Sequence, residues 1–209
     1  MLQISNYKKS YGKKTILTID ECILDRGIYW LQGVNGSGKS TLLKSTAGIL
    51  SFDGSIVWNG LDVVKDGLAY RSKVNFGDAE PLFPDFLTGN ELVQMFLEAK
   101  KAPIGQEKSL IADLQMQSYL DAPVATYSSG MLKKLSLLLA FLGNPELILL
   151  DEPFITIDAA TLEVVYGWIA KSWRDNNISF LLSSHQTIEP TIFPELRKLQ
   201  IIDKKLFHC

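Results

Sequence analysis

Three short stretches carry residue types and spacings that can do chemistry. Gly33 to Ser40, GVNGSGKS, fits G-x-x-x-x-G-K-[ST]. Glycines let such a loop wrap phosphates, with the N–H groups of Gly36 through Ser40 turned inward. Gly33, Asn35, Gly36, Ser37 and Gly38 would form the cradle, and Lys39 would reach the β- and γ-phosphates. Ser40 would ligate Mg²⁺ and Thr41 would contact the α-phosphate. In LILLDEP, Leu147 to Pro153, Asp151 would hold Mg²⁺ directly or through water, and Glu152 would serve as general base toward a water. The third stretch, YSSGM, sets Ser128, Ser129 and Gly130 before an apolar helix, a second anion site far from the first. Each has an ordinary alternative when taken alone: a glycine turn, a solvent-facing strand end, a plain helix cap.

The surrounding pattern must position these residues. LQISNY, TILTIDECIL and GIYWLQG read as strands parted by the turns YGKK and DRG. IYWLQ runs into the glycine loop, and Leu42, Leu43, Ala47 and Leu50 then fall at helical spacing. GSIVWNG reads as a short strand. The segment from Pro81 to Tyr127 differs in texture: PLFPDF, a helical NELVQMFLEAKK, a broken KAPIGQE and a helical IADLQMQSYL. The helix MLKKLSLLLAFLG is apolar on nearly every side and is expected to be buried. LILLDEP and ISFLLSSH read as buried strands flanking the helix TLEVVYGWIAKSW, and KLQIID with KKLFHC as a hairpin. Strands alternating with helices imply an α/β fold with a mainly parallel sheet. The strand of Asp151 is expected directly beside the strand that feeds the phosphate loop.

Bulk properties narrow the class. The 209 residues suit one domain with a subdomain. A net charge of −2 lacks the basic excess of a nucleic-acid binder. Two cysteines, Cys22 and Cys209, make no disulfide framework, which fits a reducing cytosol. Two histidines apart from the cysteines argue against structural zinc. MLQISNYKKS has no signal-peptide core, and LSLLLAFL falls short of the ~18–20 apolar residues of a membrane span, so a membrane role is expected to need a partner.

In order and content the chain resembles the ATP-binding subunit of the ABC transporter family along nearly its whole length. GVNGSGKST is similar to that family's Walker A motif, LILLDEP to Walker B, and YSSGM to the signature usually written LSGGQ. Asp158, in Ile157-Asp158, falls where the D-loop sits, and His185 where the switch histidine contacts the γ-phosphate. Tyr11, in KKSYGKK, matches the aromatic that stacks on adenine; the lysines around it read as a solvated face. The resemblance implies a P-loop NTPase core of mainly parallel sheet, residues 1–78 and 131–209, with an antiparallel β subdomain and an inserted helical subdomain at about 79–130. It implies ATP and Mg²⁺ as ligands, and a second ABC ATPase subunit packed head to tail, most simply another copy. Ser128, Ser129 and Gly130 would then hold the partner's γ-phosphate, which accounts for a second anion site in one chain.

Two departures stand out. Ala79 aligns where the family carries a glutamine that contacts Mg²⁺; either neighbouring carboxylate, Asp78 or Glu80, is a substitute hard ligand, and a one-residue shift makes it Glu80. In the signature, Ser129 replaces a glycine and Met131 the glutamine. The implied activity is ATP hydrolysis that drives a separate transmembrane permease, from the cytoplasmic face of the membrane, through a surface near residues 76 to 90. PLFPDF, with Phe83 and Phe86, supplies anchors, and the short C-terminal tail suits a compact exporter-type system. A non-transport ATPase of the same superfamily, as in iron–sulfur cluster assembly, is the alternative. His208 and the cysteines read as functionally silent.

Overall fold

The computed structural model describes residues 1–184 and 191–208. In chain order the described elements are β1 (Leu2–Tyr11), β2 (Lys14–Leu24), β3 (Ile28–Gln32), α1 (Lys39–Thr46), β4 (Asp53–Trp58), β5 (Leu61–Asp62), α2 (Gly67–Lys73), β6 (Val74–Gly77), α3 (Gly89–Ala99), α4 (Gln106–Asp113), α5 (Ser129–Ala140), β7 (Leu147–Leu150), α6 (Ala159–Asn176), β8 (Ser179–Ser183), β9 (Arg197–Ile202) and β10 (Lys205–His208). An antiparallel sheet runs β2-β1-β4-β5 and a larger one runs β10-β9-β3-β8-β7-β6. Within the larger sheet β9, β3, β8, β7 and β6 pair in parallel, and β10 joins as the antiparallel partner of β9. The tail hairpin, the antiparallel subdomain and the mainly parallel core follow the sequence reading.

The central strands sort their side chains by parity, as a pleated sheet buried on both faces requires. Tyr29, Leu31, Leu147, Leu149 and Leu181 face a core shared with the antiparallel sheet and α1. Ile28, Trp30, Ile148, Leu150, Phe180 and Leu182 face the opposite core, closed by Val165 and Ile169 of α6. A third core gathers Leu92, Val93, Leu114, Met116 and Leu120 around α3 and α4. Helix α5 and the two residues after it serve two cores: Leu137, Ala140 and Phe141 pack on the sheet, while Leu135, Leu138, Leu139 and Leu142 pack on the helical cluster. That double duty explains why the α5 sequence is apolar all round.

Some expectations need correction. Strand β8 lies between β3 and β7, so the Asp151 strand is one strand removed from the phosphate-loop strand. The helix read over IADLQMQSYL starts at Gln106 and stops at Asp113, so the broken KAPIGQE already contains its first two residues. Gln115 follows at φ 56, left of the helical region, and ends the helix there. Helix α2 was not read from the sequence at all. Lys9 is buried rather than part of a solvated lysine face, because its ammonium donates to the Ser51 carbonyl at 2.5 Å.

Candidate active site

The phosphate loop joins β3 to α1. Gly38 caps α1 at φ 109, a conformation glycine adopts without strain. No side chain caps this helix, so its first N–H groups stay available to an anion. Ser37 N donates to the Val34 carbonyl at 3.1 Å, which removes one of the inward N–H groups expected from the motif. Its side chain compensates: Ser37 Oγ is buried with no hydrogen-bond partner, an orphan that a phosphate oxygen would satisfy. Lys39 is buried and arches back, its Nζ donating to the Gly33 carbonyl at 2.7 Å and the Val34 carbonyl at 3.3 Å. Burial lowers its pKa, opposed by the Glu152 and Asp151 carboxylates. Asn35 and Ser40 are exposed and Thr41 is half-buried on the same turn.

Beyond β7 the chain places two carboxylates in the interior, Asp151 and Glu152, at 1% and 6% exposure. Ser183, at the end of β8, binds both: its Oγ donates to Asp151 Oδ1 at 2.5 Å and accepts from Glu152 N at 3.0 Å. Glu152 has φ 44, a left-handed backbone uncommon outside glycine and typical of functional sites. Trp30 Nε1 donates to the Ser184 carbonyl at 3.2 Å and fixes the chain just before His185. His185 itself lies outside the described residues. Asp78 pairs with Lys44 of α1 at 2.9 Å, and Glu80, which is exposed, donates its N–H to Asp78 Oδ1 at 3.4 Å. Among the described residues no three His, Cys, Asp or Glu side chains gather as a metal site. A hard cation here would therefore lean on Ser40, Asp151, phosphate oxygens and water.

The signature stretch starts α5. Ser128 Oγ accepts from Met131 N at 3.2 Å, and Met131 Sδ lies 3.5 Å from Ser128 N, completing a sulfur version of the capping box. The Ser128 hydroxyl keeps its proton to donate outward. Ser128 and Ser129 are exposed. A Cβ on Gly130 would stand 3.1 Å from the Thr156 carbonyl, tighter than an ordinary contact, so a larger residue there would press on that loop. Asp158 caps α6 through Thr161 N at 2.7 Å and pairs with Lys134 at 3.3 Å, which holds its carboxyl down at about 2. The signature and Asp158 thus share one patch. Tyr11 closes the β1–β2 hairpin, 51% exposed, with the Lys9 ammonium 4.9 Å from its ring centroid. The same hairpin presents Ile16 beneath Gly38.

A family model described as ABC transporter matches residues 10–155. The lantibiotic transport ATP-binding protein SrtF of Streptococcus pyogenes is 30% identical over 191 residues, covering 88% of this chain and 80% of SrtF. The chain belongs to the ABC transporter family. The linearmycin resistance ATP-binding protein LnrL of Bacillus subtilis (strain 168) is 27% identical, with 88% of this chain and 61% of LnrL covered. Among solved structures, an ATP binding subunit of an ABC transporter superposes with a TM-score of 0.87 at 23% identity, covering 99% of this chain and 88% of that one. The ATP-binding cassette MJ0796, dimeric and bound to ADP and Pi after hydrolysis, gives 0.83 at 17% identity, with 99% and 96% covered. At these identities the structures establish the fold. As an ATP-binding subunit of the ABC family, the chain is an ATPase.

Two residues of this ABC ATPase escaped the sequence reading. Ser183 ends an apolar strand and holds both acidic residues. Lys133 lies in α5 at 1% exposure, donating to the carbonyls of Asp78 and Asp151. Burial lowers its pKa to about 8 against the pull of nearby carboxylates. For both, the only signal was a polar residue inside an apolar run. A groove of about 830 Å³ opens beside the site, between α2, β6, α3 and α5. Leu82 and Phe83 line it; Phe86, though 81% exposed, does not.

Proposed function

We propose that this ATPase holds Mg²⁺-ATP in the Walker A loop, closes head to tail on a second ABC ATPase subunit, and drives a separate membrane permease. The observation that carries the reading is the pair Asp151–Glu152, buried, oriented by Ser183 and near enough that their charge acts on the Lys39 ammonium. Glu152 takes the proton of the attacking water, and Lys39 and the α1 N-terminus carry the phosphate charge. Ser40 and Asp151 are the residues suited to Mg²⁺, whose charge would neutralise the phosphates. Glu80, exposed next to Asp78, stays the candidate for the missing glutamine. His185 is assigned the γ-phosphate contact, Tyr11 adenine stacking, and Ser128, Ser129, Gly130 and Asp158 the partner's nucleotide.

The groove supports a membrane partner over a soluble assembly. It is apolar where the loop 78–83 meets α3, and Leu68 and Leu82 stand 85% and 96% exposed on its rim. A cytoplasmic segment of the permease would cover them. Among the described residues no helix is long and apolar enough to cross a membrane, so the span is assigned to that partner, at the cytoplasmic face. Relatives named for lantibiotic transport and linearmycin resistance favour export of an antimicrobial compound. The helical segment 79–130 acts as the arm that joins groove and signature. Purified Glu152→Gln protein tests the reading: it should bind ATP while turnover falls by about a hundredfold or more. Wild-type turnover would remove Glu152 as the base.

A further inference from the structure

Lys133 sits at the open ends of two neighbouring parallel strands. Gly77 of β6 pairs with Leu150 of β7, and Asp151 N donates to the Gly77 carbonyl at 2.9 Å, where the ladder stops. Beyond it the carbonyls of Asp78 and Asp151 point to one buried ammonium, at 2.9 and 2.8 Å. The Asp151 carbonyl belongs to the same peptide plane as the Glu152 N–H. That plane is gripped twice: Lys133 holds its oxygen, and Ser183 Oγ accepts its N–H at 3.0 Å. It leads directly into the left-handed φ of Glu152. Rotation of this plane would swing the Glu152 side chain.

Packing does not explain a lysine here. An apolar residue would fill the site without the cost of burying a charge. Two carbonyls converging from different strands do need a donor with several N–H groups, and an ammonium has three. Its charge also interacts favourably with the buried Asp151 and Glu152 carboxylates. At the far end of the link, Asp78 opens the loop that carries Ala79 and lines the groove.

We propose that Lys133 is a positioning residue for hydrolysis: it locks the Asp151–Glu152 peptide to the Asp78 carbonyl and so holds Glu152 aimed at the attacking water. The inference rests on the assignment of Asp151 and Glu152 to the nucleotide site. Steady-state ATPase kinetics of Lys133→Met and Lys133→Gln test it, each measured well below that variant's own Tm. Lys133→Met should lose about tenfold or more in kcat, with KM for ATP within about twofold of wild type. Lys133→Gln keeps N–H donors without the charge and should recover part of the loss. Wild-type kcat in the folded Met variant overturns the proposal, as does a loss carried by KM. Failure of both variants to fold would make Lys133 a purely structural residue and overturn it equally. Wild type and Glu152→Gln run alongside: an active Glu152→Gln enzyme sinks the site assignment itself, whereas an inactive one beside fully active Lys133 variants sinks this proposal alone.

Discussion

At the scale of single residues, the site spends stability on geometry. Glu152 at φ 44 and Thr156 at φ 61 occupy left-handed backbone, the second with a β-branched side chain that resists it. Such strain persists only where neighbours over-determine the conformation, and Ser183 is one of those neighbours. Ser183→Ala removes the donor to Asp151 Oδ1 and the acceptor for Glu152 N together. We expect a loss of about 1–3 kcal/mol in urea unfolding, because a buried N–H and a buried carboxylate oxygen lose their partner. The same variant should lose kcat, since both acidic residues are freed to reorient. Unchanged kcat in a destabilised protein would assign Ser183 to folding only. The motif residues were legible in the sequence because loop chemistry is local: glycines, a lysine and a hydroxyl at fixed spacing. Ser183 and Lys133 were not, because they act on carbonyls and carboxylates brought near by strand order, which spacing along the chain does not reveal.

At the scale of elements, what was legible followed period and capping. LILL and SFLLS are fully buried strands because they are continuous apolar runs, and α3 starts where Thr88 and Glu91 cap each other reciprocally. Helix α2, GLAYRSK, was missed since it buries only Tyr70 and so shows no apolar stripe. The order of β3, β8 and β7 was misjudged because adjacency in a parallel sheet is set by crossovers, not by sequence distance. One lysine joins these elements beside the groove. Lys100, after α3, donates to the carbonyl of Arg71 in α2 and, at 3.3 Å, to that of Val74 in β6. Burial, with the nearby Arg71 charge, lowers its pKa to about 8. In the unfolded chain a lysine keeps its ordinary value near 10.4. Between these values the unfolded state binds more protons than the folded one, so stability from this group rises with pH. Below about pH 8 both states are charged and the term is constant. We therefore expect the stability difference between wild type and Lys100→Met to grow in favour of wild type from pH 8 toward pH 10. A difference flat across that range, measured by urea denaturation, would contradict the depressed value.

At the scale of the whole molecule, the proposed function gives one chain two anion sites. Lys39, Ser37 and the start of α1 form one; Ser128, Ser129 and Gly130 at the start of α5 form the other, braced by Thr156 and by the Lys134–Asp158 pair. A single ATP bound to the first leaves the second facing solvent. Two chains packed head to tail would place each signature over the other's γ-phosphate, with the Ser128 proton and the α5 dipole directed at it. Blocking hydrolysis should trap that arrangement. Light scattering of Glu152→Gln protein should therefore report a monomer without nucleotide and a dimer with Mg²⁺-ATP. Adding Ser129→Glu to the same background sets a carboxylate against the phosphate, and should abolish association while leaving ATP binding to the monomer intact. If association survives Ser129→Glu, the interface does not run through the signature. If Glu152→Gln binds ATP and stays monomeric, the second cassette is a different chain, and the pairing must be sought with that subunit and the permease.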